Sequence, residues 1–86
     1  MDKSIYSREY NLFLDLLRRN RQQTGLTQED IASILGVTQS FVSKCERGER
    51  RLDVVEVRTW CRALGIPIQK LIDDLDGACQ AGQASG

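Results

Sequence analysis

Apolar residues recur along most of the chain at intervals of three and four, the spacing of one face of an α-helix. No segment alternates polar and apolar residues with the period of two that a half-buried strand shows. The pattern therefore predicts an all-α fold of five short helices. From the first helix to the fifth, the residues expected to face inward are Leu12, Phe13, Leu16 and Leu17, then Ile31, Ile34 and Leu35, then Val42 and Cys45, then Val54, Val57, Cys61 and Leu64, and finally Ile68, Leu71, Ile72 and Leu75.

Residues that cap or interrupt helices set the expected boundaries. Thr27 with Asp30, and Asp53 with Glu56, have the spacing of a capping box, which satisfies backbone N–H groups at a helix start. Glycine favours the left-handed conformation in which many helices end, and proline suits a first helical turn. The five helices are expected over residues 8–24, between Thr27 and Gly36, over residues 39–47, between Asp53 and Gly65, and from Pro67 to Leu75.

The length of 86 residues leaves room for one domain, which buries only roughly 60% of its unfolded surface. We expect an N-terminal extension over residues 1–7 and the folded domain over residues 8–75. The remaining segment, 76–86, is rich in small and polar residues and predicts a disordered tail. A domain of this size is not expected to hold a deep enzymatic cleft.

Histidine is absent, so the usual general base and the commonest metal ligand are missing. The three cysteines, Cys45, Cys61 and Cys79, are odd in number and form no C-x-x-C pair, which argues against disulfides and a zinc site. We therefore expect no enzyme, no metal and no cofactor. No apolar run reaches the roughly 18 residues of a membrane span, and no signal peptide is evident, so a cytoplasmic protein is expected.

The charge is unevenly distributed, although the net charge is zero. Residues 8–51 carry eight basic and six acidic side chains, a balance of +2, whereas residues 53–86 carry three basic and five acidic ones, a balance of −2. A polarised neutral protein can still bind phosphate, more weakly than a strongly basic one.

The segment 28–45 has the features of a helix-turn-helix, in which two short helices are joined by a tight turn containing glycine. Ala32 is small where the helices approach each other, and Gly36 suits the turn. Inward positions are expected for Ile31, Leu35, Val37, Val42 and Cys45. The outward residues of the second helix are then Gln39, Ser40, Ser43, Lys44 and Arg47, whose hydrogen-bonding groups suit base edges in the major groove.

A set of residues around this segment forms a recognisable pattern: Arg21, Gly25-Leu26-Thr27-Gln28-Glu29, Ile31-Ala32, Leu35-Gly36-Val37, Ser40, Val42-Ser43-Lys44, Glu46-Arg47-Gly48 and Leu64-Gly65-Ile66. With these residues, the sequence over about residues 12–75 resembles the Xre family of regulators, which includes the lambda-type phage repressors and Cro proteins. Two positions depart from the family pattern: Asn20 replaces an apolar residue, and Leu52-Asp53 stands where a proline often precedes helix four.

The resemblance implies a lambda-repressor-like DNA-binding domain that acts as a homodimer on a near-palindromic operator in double-stranded DNA. It implies an ion pair between Arg21 and Glu46. The residues expected to contact bases are Thr38, Gln39, Ser40, Ser43 and Lys44. Those expected to hold phosphates are Gln28, Arg47, Arg50 and Arg51.

Each feature also has a simpler structural interpretation. The basic residues from Lys44 to Arg51 can form a solvated face, and Glu29 and Asp30 are explained by the dipole of a helix start without catalysis. Trp60 is expected at the edge of the core or at a dimer contact. The surface predicted for dimerisation is helix five or the edge of helix four, and its residues are Trp60, Ile68, Leu71, Ile72 and Leu75.

A different class of function uses the same scaffold, because a fold does not determine its function. An antitoxin-like or adaptor module would bind a protein partner through this domain. Salt dependence separates the two hypotheses, since phosphate contacts make affinity fall steeply with salt.

Overall fold

The computed structural model describes the chain from residue 3 to residue 85, with side chains from residue 8 to residue 81. This part consists of five helices and contains no strand, which confirms the predicted all-α fold. The helices are α1 (Lys3–Gln23), α2 (Gln28–Leu35), α3 (Gln39–Glu46), α4 (Val54–Leu64) and α5 (Ile68–Ser85).

The predicted capping boxes at the starts of α2 and α4 are present. The Thr27 hydroxyl accepts a hydrogen bond from the backbone N–H of Asp30 at 3.1 Å, and the Asp30 carboxylate accepts one from the Thr27 N–H at 2.9 Å. Asp53 and Glu56 exchange the equivalent bonds at 2.8 and 3.0 Å. Each box satisfies two N–H groups that the helix itself leaves unpaired, which fixes where α2 and α4 begin.

Both ends of the chain differ from the prediction. α1 begins at Lys3 within the expected extension, and α5 runs to Ser85 through the segment expected to be disordered; Gly86 lies outside the described residues. The composition of the tail was misleading because its alanines favour a helix and its small residues allow close packing. Ala78 and Cys79 are half-buried, and α5 packs along α1, which gives the tail a neighbour that the sequence pattern does not reveal.

Residues of all five helices form the core. α2 packs against α3 and α4, α1 packs against α3 and α5, and α4 also contacts α5. Leu14 belongs to it but was not among the residues expected to face inward. The buried apolar residues are Phe13, Leu14, Leu17, Ile31, Ala32, Val42, Cys45, Leu52, Val57, Trp60, Cys61, Leu64 and Leu71.

Four residues expected to face inward are exposed: Ile34, Val37, Val54 and Ile72. They lie at the last turn of α2, in the turn before α3, in the first turn of α4 and on α5. These four positions form apolar surface that the described residues do not cover. This apolar surface was not predicted for α2 and the start of α4.

The dimer surface predicted from the sequence is largely inside the protein. Trp60 and Leu71 are buried, and Ile68 and Leu75 are partly buried against the core. Only Ile72 in that set is exposed, so most of these residues have a core role and the predicted surface needs correction.

The two departures from the family pattern have local partners. Asn20 is buried, and its Nδ2 donates to the carbonyl of Leu16 at 2.8 Å while its Oδ1 accepts from Lys70 Nζ at 3.1 Å. Leu52 is also buried, and its N–H donates to the hydroxyl of Tyr10 at 3.0 Å. The bonds of Asn20 with Lys70 and of Leu52 with Tyr10 tie α1 to distant segments, so both positions contribute to packing.

Candidate nucleic-acid interface

The helix-turn-helix is formed by α2 and α3 with the turn between them. Gly36 ends α2 with a φ of +73°, and a Cβ placed there would meet no atom within 4 Å, so the backbone conformation alone requires glycine. The Val37 N–H donates to the carbonyl of Ala32 at 3.0 Å and closes the turn. Val42 and Cys45 are fully buried, which fixes the rotation of α3 on the body and defines its outer face.

The five predicted base-contact residues lie together at the start and along the outer face of α3. Thr38, Gln39, Ser40 and Lys44 are exposed, and Ser43 is half-buried. The Thr38 hydroxyl also accepts the N–H of Phe41 at 3.0 Å, so this residue is the N-cap of α3. The outer face of α3 is therefore polar and open to solvent.

A chain of hydrogen bonds connects this face to the interior. Gln39 Nε2 donates to Gln28 Oε1 at 2.7 Å, and Gln28 Nε2 donates to Glu46 Oε1 at 2.9 Å. Gln28 was predicted as a phosphate contact, and the structure places it between α2 and α3 with both ends of its amide already bonded. One N–H of its amide group remains for another acceptor.

The ion pair of Arg21 and Glu46 is formed. Arg21 Nε lies 2.7 Å from Glu46 Oε2, and Nη2 lies 3.1 Å from Oε1, in a two-bond arrangement. The Glu46 side chain is 1% exposed and that of Arg21 12%. Arg21 also donates to the carbonyl of Leu26 at 3.0 Å, and Arg18 donates to the carbonyl of Glu46 at 2.8 Å. These bonds hold the end of α3 against α1.

Two of the predicted phosphate-binding arginines are already paired with carboxylates. Arg47 Nε lies 2.7 Å from Glu49, and Arg50 Nη2 lies 2.8 Å from Glu56. The hydrogen bond from Arg47 lowers the pKa of Glu49, and the hydrogen bond from Arg50 lowers that of Glu56, so both carboxylates are ionised at neutral pH. Part of the expected positive charge is therefore neutralised within the protein.

Arg51 and Lys44 keep their charges available, since neither forms an ion pair with another residue in the described part of the chain. The Arg51 guanidinium lies over the ring of Tyr10, 4.2 Å from its centroid. Arg50 lies over Phe41 at 5.0 Å in the same way. These supporting roles of Tyr10 and Phe41 were not predicted. The contact between Tyr10 and Arg51 joins residues far apart in the chain, which no local sequence pattern reveals.

Other chemistry has little support in the described residues. No three His, Cys, Asp or Glu side chains between residues 8 and 81 lie where they could hold a metal ion. None of the helices as far as they are described is long and apolar enough to cross a membrane. Cys45 and Cys61 are free and buried, and Cys79 is free and half-buried.

Comparison with known proteins places this arrangement in a family. The family model described as "Helix-turn-helix domain" matches residues 12–75. An uncharacterized HTH-type transcriptional regulator of Sinorhizobium fredii is 34% identical over 58 residues, covering 67% of this chain and 75% of the relative. Another, from Methanothermobacter thermautotrophicus, is 36% identical over 50 residues, covering 58% and 72%.

Among solved structures, an XRE-family like protein from Pseudomonas syringae pv. tomato is 43% identical with a TM-score of 0.83, covering 88% of this chain and 93% of that one. The clp gene regulator ClgR of Corynebacterium glutamicum has 25% identity and a TM-score of 0.73, covering 90% and 84%. The family match spans the whole helix-turn-helix and most of the core around it. The chain therefore belongs to the Xre family of helix-turn-helix regulators.

Proposed function

We propose that this protein is a sequence-specific DNA-binding transcription regulator, which places α3 in the major groove and acts as a homodimer on a near-palindromic operator. The observation that carries the proposal is the outer face of α3. Exposed polar side chains lie along a helix whose opposite side is anchored by Val42, Cys45 and Glu46. A rigid helix with an open polar face is what readout of base edges requires.

The hydrogen-bond chain gives Gln39 a defined orientation. A carboxylate only accepts hydrogen bonds, so Glu46 requires Gln28 to turn its Nε2 inward and its Oε1 outward. Gln39 must then offer its Nε2 to Gln28, which leaves its Oε1 and one N–H for a ligand. An adjacent acceptor and donor match N6–H and N7 of adenine in the major groove. Gln39 is accordingly assigned to read an adenine.

The predicted phosphate-binding residues differ in how much of their positive charge is available to DNA. Arg51 has a charge that no described carboxylate neutralises, so it is the main candidate to hold the DNA backbone, while Lys44, whose charge is equally unpaired, remains assigned to base edges. Arg47 and Arg50 are the lesser candidates, because each must share its guanidinium with Glu49 or Glu56. Phosphate contacts fix the register of a protein on DNA, whereas base contacts specify the sequence.

The proposal is tested by selection from a pool of random DNA duplexes. The native protein should enrich a near-palindrome whose half-sites are about 10 base pairs apart or a multiple of that spacing. Lys44→Glu, which reverses an exposed charge on the reading face, is the control and should enrich nothing under the same conditions.

A pool that stays random after repeated selection with the native protein would contradict the assignment. DNA affinity that does not fall with salt would contradict it as well, because phosphate neutralisation releases counterions. Either result would favour the antitoxin-like or adaptor function, in which the scaffold binds a protein.

A further inference from the structure

The side-chain amide of Gln39 is fixed in one orientation by the buried carboxylate behind it. Glu46 is 1% exposed and accepts two hydrogen bonds from Arg21, at 2.7 and 3.1 Å. A third bond comes from Gln28 Nε2, so Gln28 offers its Oε1 to Gln39 Nε2. Turning the Gln39 amide over would set its oxygen against the oxygen of Gln28. The acceptor that Gln39 presents to DNA is consequently Oε1.

On the adenine assigned to Gln39, this acceptor faces the exocyclic amino group. Adenine presents one N6–H in the major groove beside the acceptor N7, whereas its second N6–H pairs with thymine. Gln39 Oε1 accepts the first N6–H, and the remaining N–H of its amide donates to N7. Each bond uses a different atom of the amide, so the amide cannot compensate for a chemical change at N6.

A methyl group on N6 removes the donor that Gln39 Oε1 requires. When N6-methyladenine is paired with thymine, its remaining N6–H lies in the base pair, and the methyl group takes the position of the hydrogen that faces the groove. Gln39 Oε1 would then meet a carbon where it now accepts a hydrogen bond. The contact would lose that bond, and the carbonyl oxygen would be desolvated without a partner.

The outer face of α3 offers the methyl group no apolar pocket. The other residues of this face are Thr38, Ser40, Ser43 and Lys44, all of them polar. Val37 and Phe41, the nearest apolar residues in the chain, line a groove against α4 instead. Withdrawal of Gln39 from the methyl group would break its hydrogen bond to Gln28. Neither adjustment accommodates the modified base without loss.

We propose that N6-methylation of the adenine read by Gln39 weakens binding of the protein to its operator, so that the protein acts on unmethylated sites. The proposal deepens the proposed function and rests on it for the adenine contact. A DNA methyltransferase would supply the mark with a sulfonium methyl donor: the bond from N6 to the methyl carbon forms, the S–C bond breaks, and one N6 hydrogen leaves as a proton. The domain then senses the chemical state of its own operator.

The adenine must first be located in the operator. Selection with the native protein gives the operator sequence, and Gln39→Ala should relax the base preference at one position of each half-site. That position should be an adenine in the sequence that the native protein selects. Two modified duplexes are then synthesised. The test duplex carries N6-methyladenine at this position in both half-sites, and the control duplex carries it at adenines of the flanking sequence.

The readout is the dissociation constant on each duplex, measured by band-shift titration at one salt concentration. The native protein should bind the test duplex at least about tenfold more weakly than the unmodified operator, because a two-bond contact to a base gives discrimination of that order. It should bind the control duplex as tightly as the unmodified operator, since no contact there involves Gln39.

Gln39→Ala separates loss of the contact from any effect of methylation on the DNA itself. The alanine side chain does not reach N6, so this variant should bind the test duplex and the unmodified operator within about twofold of each other. The titrations are made at low salt, where the weakened variant still binds. Gln39 is exposed, so the variant should fold, which circular dichroism checks.

Equal affinity of the native protein for the test duplex and the unmodified operator would overturn the proposal. An equal loss for the native protein and Gln39→Ala would overturn it too, because the penalty would then arise in the DNA and not at Gln39. A base other than adenine at the position that Gln39→Ala relaxes would have the same consequence.

Failure of this inference and failure of the proposed function give different results. A protein that selects an operator and ignores its methylation overturns the inference and leaves sequence-specific DNA binding standing. A pool that stays random overturns the proposed function, and the inference falls with it.

Discussion

At the scale of single residues, the position of α3 depends on Glu46, a buried carboxylate held by Arg21. Arg21→Ala should destabilise the protein by about 3–5 kcal/mol, because it leaves a charge buried without its partner. Arg47→Ala is the matched control, since Arg47 pairs with Glu49 at the surface, and its loss should change stability little. Urea denaturation measures the free energy of unfolding of both variants. Equal losses would show that the burial of Glu46 does not make its ion pair more important for stability than a surface pair.

The cysteines provide a second prediction at this scale. Burial raises the pKa of the Cys45 and Cys61 thiols, so the thiolate fraction that reacts with a disulfide reagent is small at neutral pH. Cys79 is half-buried and should react first, even though burial raises its pKa too. A thiol titration of the native protein should show one accessible group, and Cys79→Ser should remove it. Rapid reaction of two or three thiols without denaturant would contradict the buried positions.

The residue pairs differ in how far the sequence could predict them. The ion pair of Arg21 and Glu46 was expected from the family resemblance. The partner of Asn20 was not, since Lys70 lies 50 residues away and no local pattern connects them. The pairing of Arg50 with Glu56 was missed for another reason: Glu56 already had a role in the α4 capping box, and one carboxylate serves both.

At the scale of the elements, two glycines test the turn of the helix-turn-helix and the long α5. Gly36→Ala should destabilise the protein by about 1–2 kcal/mol, because φ at this position is +73° and an L-residue resists it. Gly77→Ala should stabilise it by roughly 0.5–1 kcal/mol, because Gly77 lies inside α5 with open space at its Cβ position. Thermal denaturation of both variants shows whether each substitution lowers or raises the stability of the protein.

Gly77→Ala also tests whether the tail is helical or disordered in solution. If residues beyond 75 were disordered in solution, Gly77→Ala would leave stability unchanged. The sequence predicted α2 and α4 well because capping boxes and glycines mark their ends locally. It failed for α5 because the continuation of that helix depends on contact with α1, which is a property of the tertiary structure.

At the scale of the whole molecule, the proposed two-fold dimer would fix the distance between its two reading helices on DNA. Inserting about 5 base pairs between the half-sites of the selected operator turns one half-site to the opposite face of the duplex. Affinity should then fall to nearly that of a single half-site. An insertion of about 10 base pairs returns both half-sites to the same face of the duplex, and the affinity that it recovers shows how far the dimer can adapt to the longer spacing. Band-shift titration measures both, and an affinity indifferent to spacing would indicate that monomers bind independently.

The predicted dimer surface shows the limit of prediction at this scale. Counting apolar residues on helices four and five assigned Trp60 and Leu71 to that surface, whereas both are buried. Which apolar residues of a helix become buried in the core depends on the angles at which the helices cross. The exposed row on α2 and α4 emerges only once all five helices are placed.

The most direct test of the account compares the native protein, Gln39→Ala and Arg51→Ala on the selected operator and on a scrambled duplex at several salt concentrations. Gln39→Ala should lose about 1–3 kcal/mol on the operator and little on scrambled DNA, because it removes a base contact. Arg51→Ala should weaken binding to both duplexes equally and lower the salt slope by about one unit, because it removes a phosphate contact. The same uniform loss from both substitutions would contradict the placement of α3 in the major groove.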